Sequence, residues 1–121
     1  MGYIRVKALV SNPLDPSRQK EVEVLVDTGA IYSMLPASTL KSLGLTSRSE
    51  RKFKLASGDQ KSFQTGEAYI EIPEFGFGAT SIVIFGPENS TPLLGVTTLE
   101  NLGLQADPTS GKLKPMELLL L

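Results

Sequence analysis

One carboxylate in this sequence stands where carboxylates do chemistry. The chain has four Asp residues: Asp15, Asp27, Asp59 and Asp107. Asp15 and Asp107 sit beside Pro in turns, and Asp59 sits at the tip of a Gly-bearing hairpin, Ala56-Ser57-Gly58-Asp59-Gln60. Asp27 alone ends an apolar strand, Val24-Leu25-Val26, and is followed by Thr28-Gly29-Ala30. The absence of His and Cys sharpens this focus. Without them there is no thiol nucleophile, no disulfide, no Ser-His couple and no zinc site built on imidazole or thiolate. Acid–base chemistry must then come from carboxylates, Lys or Tyr. We expect neither a metal nor a cofactor.

The elements that carry Asp27 read as short strands. Ile4, Val6, Ala8 and Val10 alternate with Arg5 and Lys7; Val22, Val24 and Val26 alternate with Glu21 and Glu23. Both are period-2 strand patterns. Asn12-Pro13-Leu14-Asp15-Pro16 between them is turn chemistry. Residues 33–35 form a short apolar strand, and Pro36 to Gly44 one or two helical turns with Pro at the start and Gly past the end. The polar stretch from Ser47 to Lys52 reads as a loop. Residues 53–55 and 61–65 flank the hairpin tip, 68–72 alternate, and Ile82-Val83-Ile84-Phe85 is a continuous apolar strand. Thr97-Thr98-Leu99-Glu100 has the form of a capping box, so a helix is expected over about 97–103 with Gly103 as its stop. Asp107 to Gly111 is a turn, and a last extended segment runs from Lys112, with Pro115 confined to an edge.

The chain also resembles itself at a shift of 59 residues. Six of 13 positions are identical between 33–45 and 92–104, and 24–26 meets 83–85 in the same register. Either two unrelated strand–helix units happen to share Leu and Gly, or, as the unbroken register favours, the domain has two similar halves about a pseudo-two-fold axis. The position equivalent to Asp27 is Gly86, so the candidate acid is not duplicated.

Asp27-Thr28-Gly29-Ala30, the hairpin near Gly58 and Leu93-Leu94-Gly95 ahead of a short helix resemble the retropepsin-like (retroviral-type) aspartic proteases. The likeness is closer to cellular and prokaryotic members than to viral ones, and covers about Tyr3 to Lys114. It implies one all-β domain over residues 1–121, a closed acid-protease barrel with the Asp-Thr-Gly loop threaded beneath Leu93-Leu94-Gly95 and a flap at 56–60. It implies an endopeptidase whose two catalytic Asp27 carboxylates come from a homodimer acting on a peptide or protein substrate. The alternative is a non-catalytic module of the same fold that binds peptides or partners.

The resemblance assigns Asp27 as acid/base. Thr28 bonds either across the dimer axis or locally within its own turn, and Gly29 gives close approach to carboxylate and substrate. Gly58, Asp59 and Gln60 would cover the peptide. Ala30, Met34, Leu93 and Val96 either line apolar subsites or belong to the core. Viral members brace the dimer with an ion pair whose two positions here are Ile31 and Val96. The Leu118–Leu121 run could pair across an interface, fold back or dock a partner.

A net charge of −1 leaves no electrostatic footprint for nucleic acid. Charges interrupt the N-terminal segment, no signal peptide is read there, and four terminal Leu residues are far short of a membrane span. The expected location is cytoplasmic.

Overall fold

The computed structural model describes residues 3–121. Met1 and Gly2, which open the segment read above for a leader, lie outside them. Strand β1 (Arg5–Asn12) turns into β2 (Asp15–Val26) through Pro13 and Leu14, and the Asn12 side chain accepts the Leu14 N–H at 2.9 Å. In this hairpin Ala8, Val10 and Val24 are buried while the intervening charged residues face out. Beyond Asp27 come β3 (Ser33–Pro36) and the six-residue helix α1 (Ala37–Ser42). Strand β4 (Ser49–Lys54) and the long β5 (Gln60–Ile72) form the flap hairpin, and β5 pairs onward with β6 (Phe77–Gly86). The chain ends with β7 (Leu93–Leu94), α2 (Val96–Leu102) and a separate hairpin of β8 (Leu104–Asp107) and β9 (Lys112–Pro115).

The main sheet runs β1-β2-β7-β3-β6-β5-β4, and an additional β1–β5 pairing brings it back to its start. Six strands therefore close a hydrogen-bonded circuit, and β4 hangs outside it as the free arm of the flap. Inside lie Leu35, Leu40, Ile70, Ile72, Leu94 and Leu104, each fully buried. Each such side chain contributes about 1.5–3 kcal/mol of transfer free energy.

The internal repeat appears in the strand registers. β7 pairs parallel to β2 with Leu25 opposite Leu93 and Val26 opposite Leu94. A 59-residue shift converts these into Ile84 opposite Met34 and Phe85 opposite Leu35, which is the observed parallel pairing of β6 with β3. Met34 also pairs with Leu93, its own equivalent, so the pseudo-two-fold axis passes between them. Each half thus lays its short second strand beside the other half's long strand. Both helices end on a glycine in the left-handed region, Gly44 (φ 79°) and Gly103 (φ 70°), a conformation with no steric cost only for glycine.

Four local expectations change. The helix begins at Val96, with Gly95 as its N-cap and no side-chain cap. The capping box is not made because backbone carbonyls of the Asp27 loop already take the first N–H groups of the helix, as described below. The Ser47–Lys52 loop is mostly strand β4, polar because it pairs only with β5 and buries neither face. Leu104–Asp107, not foreseen as a strand, pairs with β9. Leu118–Leu121 joins no strand and is exposed. No helix among the described residues is long and apolar enough to cross a membrane.

Candidate active site

Strand β2 is gripped on both edges just before Asp27. Leu25 N–H donates to Pro92 O (2.9 Å), Val26 N–H to Ile4 O (2.8 Å) and Asp27 N–H to Leu94 O (3.0 Å). The chain then turns: Ala30 N–H returns to Asp27 O at 3.1 Å, and Gly29 N–H donates to Asp27 Oδ1 at 3.0 Å. One carboxylate oxygen is thereby oriented by the backbone, while the half-buried side chain remains open to solvent. A Cβ at Gly29 would stand 3.3 Å from that oxygen, so only glycine leaves the carboxylate undisturbed.

The loop is locked beneath the second half of the domain. Val96 N–H donates to Ala30 O (2.8 Å) and Thr97 N–H to Ile31 O (3.1 Å), which satisfies the first turn of α2. Buried Ser33 Oγ accepts Gly95 N–H at 3.0 Å and shares a 2.7 Å hydrogen bond with buried Thr98 Oγ1. Gly95 lies directly on the Tyr32–Ser33 backbone, leaving no room for a side chain. The second half of the domain thus clamps the Asp27 loop of the first.

An apolar row extends from this site. Leu25, Leu93, Met34 and Ile84 pair in register across β2, β7, β3 and β6, so their side chains share one face, the face Asp27 reaches two residues beyond Leu25. Leu25, Met34 and Leu93 are only half-buried, and none of the four belongs to the main core cluster. On its far side Asp27, with Thr28, borders an open groove of about 850 Å³ shared with Tyr3, Ile4 and the Pro108–Gly111 turn.

Of the residues singled out from sequence, Asp27, Thr28, Gly29 and Ala30 form the loop, and Met34 and Leu93 meet on the apolar row. Thr28 is exposed, and among the described residues its hydroxyl makes no hydrogen bond. Val96 joins through its N–H rather than through a demonstrated side-chain contact. Gly58 (φ 91°), Asp59 and Gln60 lie at the flap tip, where Asp59 O accepts Leu55 N–H and Ser57 Oγ donates to Asp59 Oδ2 (3.2 Å). No hydrogen bond joins this tip to the Asp27 loop among the described residues.

Sequence reasoning missed Leu25 and Ile84, read only as strand residues, and the contact between flap and loop. Tyr32 packs edge-on against Phe53 (6.1 Å between centroids, 84°) and accepts a 2.7 Å hydrogen bond from Arg51. No local signal in the sequence pairs residues so far apart.

Two carboxyls away from the site are held below their ordinary range. Asp107 is lowered to about 2, first by the Thr109 hydroxyl and then by Thr109 N–H, which fixes the β8–β9 turn. Glu88 is lowered by the Ser38 hydroxyl and N–H at the start of α1. Among the described residues, no group of three His, Cys, Asp or Glu could hold a metal ion.

A strand-encircled all-β domain with an Asp-Thr-Gly loop threaded under an apolar-apolar-Gly segment defines a retropepsin-like aspartic protease. The family model described as "gag-polyprotein putative aspartyl protease" matches residues 18–101, and the chain belongs to that family. Among solved structures it is similar to EIAV protease complexed with the inhibitor HBY-793. That match has a TM-score of 0.53 and 18% identity, and covers 98% of this chain and 94% of that one. It is also similar to a retropepsin-like aspartic protease from Rickettsia conorii, with a TM-score of 0.52, 21% identity and coverage of 88% and 85%. No curated protein sequence matches it.

Proposed function

We propose that the protein is an aspartic endopeptidase whose active site forms when two copies each supply Asp27. The observation that carries this reading is the placement of Asp27: its carboxylate is aimed by Gly29 N–H at the end of an apolar row fit to hold side chains of an extended peptide. Hydrolysis of an amide without a metal needs a base for the water and an acid for the carbonyl oxygen. One carboxylate cannot be both at once. Two adjacent carboxylates cannot both ionise, so they share a proton and titrate as a pair, which is the established behaviour of aspartic-protease dyads. The ionised Asp27 takes a proton from water, the water oxygen attacks the carbonyl carbon, and the protonated Asp27 of the second copy donates to the carbonyl oxygen. The tetrahedral intermediate collapses as its C–N bond breaks: the Asp27 that took the proton from water gives it to the leaving amine nitrogen, and a hydroxyl of the intermediate returns its proton to the other Asp27, which restores the shared-proton pair.

A chain with one such Asp requires a second copy, related by a two-fold axis near Thr28. The exposed Thr28 hydroxyl and the 54% exposed Ile31 on the same loop support an interface there. Ile31 and Val96 would brace it by apolar contact in place of the ion pair of viral members. In this dimer Ala30, Met34 and Leu93 line subsites, and Gly58, Asp59 and Gln60 close over the peptide.

The test is peptide cleavage from about pH 3 to 7, alongside sedimentation. Asp27→Asn keeps an oxygen for Gly29 N–H, so it should fold normally, dimerise and cleave nothing. Equal cleavage by wild type and variant, or cleavage by a strict monomer, refutes the proposal.

A further inference from the structure

The inner face of the flap carries charge that the protease reading does not use. In the β4–β5 register Ser49, Arg51 and Phe53 stand opposite Thr65, Phe63 and Lys61, so these six side chains share one face. That face turns toward the Asp27 loop. Phe53 packs on Tyr32, Phe63 packs on Phe53 at 5.9 Å, and the Arg51 guanidinium lies 5.5 Å from the centre of the Tyr32 ring while donating to its hydroxyl. Lys61 lies 5.2 Å from the centre of the Phe63 ring. Two cations are thus held against aromatic rings, where the ring quadrupole favours them.

Among the described residues no acid on that face forms an ion pair with them: Glu67, two residues beyond Thr65, lines one concavity with Arg48 and Arg51 but pairs with neither. Glu50 falls on the opposite face, where it accepts from Gln64, and Asp59 at the tip accepts from Ser57. The ion pairs among the described residues are Lys7–Glu21 and Lys114–Asp107, neither on the flap. The segment from Arg48 to Lys61 holds Arg48, Arg51, Lys52, Lys54 and Lys61 against Glu50 and Asp59, in a chain whose net charge is −1. Arg51 spends one of its five N–H donors on Tyr32 and keeps the rest for a ligand.

We propose that the flap selects acidic peptides: the preferred substrate carries Asp or Glu close to the apolar residues that flank the cleaved bond. This rests on the protease reading for the location of the peptide. An extended peptide alternates its side chains, so apolar groups settle on the Leu25–Leu93–Met34–Ile84 row while neighbouring carboxylates meet Arg51 and Lys61. Peptides with Lys at those positions are repelled.

The experiment compares peptides that differ only by Glu, Gln or Lys beside an apolar cleavage pair, at about pH 6, where a free Glu is ionised. The Glu peptide is expected to exceed the Gln peptide by about tenfold in kcat/KM, and the advantage should shrink several-fold between 0.05 and 0.5 M salt, as for exposed charges. Lys61→Gln, which leaves the Arg51–Tyr32 contact intact, should cut the ratio to about threefold. Arg51→Gln with Lys61→Gln should bring it near one. Lys52→Gln with Lys54→Gln, on the outer face, should leave it at tenfold. Equal kcat/KM for Glu and Gln peptides in the wild type overturns the inference and spares the protease reading. Binding of the same peptides to Asp27→Asn protein, followed by fluorescence anisotropy, separates the converse case. Preferential Glu binding with no cleavage by wild type sinks the protease reading alone, and equal binding sinks the inference.

Discussion

Replacing Gly95 by Ala should test how the Asp27 loop is held. The backbone of Gly95 is ordinary (φ −87°, ψ 169°), so Ala adopts it without torsional strain and any loss is steric. The new Cβ would stand 2.6 Å from Tyr32 O, 2.8 Å from Ser33 N and closer still to the Tyr32 carbonyl carbon. All three are backbone atoms, which cannot swing aside as a side chain would. Carbon contacts are optimal at about 3.5–4.0 Å, so β7 must move roughly 1 Å away from the loop. That movement stretches the bonds from Gly95 N–H to Ser33 Oγ, Val96 N–H to Ala30 O and Thr97 N–H to Ile31 O. Each contributes about 0.5–1.5 kcal/mol. Ala recovers about 0.4–1 kcal/mol by restricting the unfolded chain, which leaves a net loss of about 0.5–4 kcal/mol, centred a little above 2. For a chain of this length that lowers Tm by about 10 °C, readable by circular dichroism. Gly29→Ala is the contrast: its Cβ meets only the Asp27 carboxylate, at 3.3 Å. Stability should stay near wild type while cleavage falls. A Tm for Gly95→Ala within about 2 °C of wild type refutes the threaded-loop account.

Ser33→Ala strands Gly95 N–H and the Thr98 hydroxyl in a buried pocket and should cost about 2–4 kcal/mol in urea unfolding; Ser33→Ala with Thr98→Val should recover part of that, and a costless single substitution contradicts the network. Ser81 Oγ is buried with no hydrogen-bond partner among the described residues, so Ser81→Ala should stabilise the fold by about 1 kcal/mol, and a clear loss would show that the hydroxyl is satisfied. Asp107 is depressed to about 2 from 3.8, so its contribution is complete above 3.8 and lost as pH falls toward 2. Melting temperatures of wild type and Asp107→Asn should therefore differ by a constant amount above about pH 4 and converge toward pH 2; parallel curves throughout would rule out the Thr109-bonded carboxylate as the cause.

The sequence disclosed most where one face of an element is buried and least where neither is. Val22 to Val26 and Ala68 to Ile72 alternate because one side of each strand meets the core, and both strands were legible. Strand β4 has no such contrast: it pairs with one neighbour and of its residues only Phe53 is half-buried, so the Ser, Glu, Arg and Lys residues over 49–52 read as loop. The capping box failed for a different reason. Thr97 and Glu100 have the right spacing, but the first N–H groups of α2 are already bonded to Ala30 and Ile31, contributed from more than sixty residues upstream. Asp27 was recognisable from its immediate neighbours. The row it joins was only half visible, because Leu25 and Ile84 look like core strand residues until the registers of four strands are known.

Those registers also bear on why one chain carries one acid. The pseudo-two-fold axis superposes β2 on β6 and β3 on β7 in register, and the two helices share their position and their stop. Position 86 is therefore the backbone equivalent of position 27, and a single-chain dyad would be most simply built there. A Cβ at Gly86 would stand 2.7 Å from Met34 Cγ, 2.9 Å from Met34 Sδ and 3.0 Å from Ser90 Oγ. An acid at 86 would have to push Met34 out of the apolar row, which is the surface the proposed peptide lies on. Gly86 also faces Pro36 across the parallel β3–β6 pairing, continuing a sheet rather than opening into a loop of the Asp-Thr-Gly kind. The second half is thus committed to building the floor of the site and clamping the Asp27 loop. On the proposed reading the missing carboxylate has to come from outside the chain, and the exposed Thr28 and Ile31 mark the side from which it arrives.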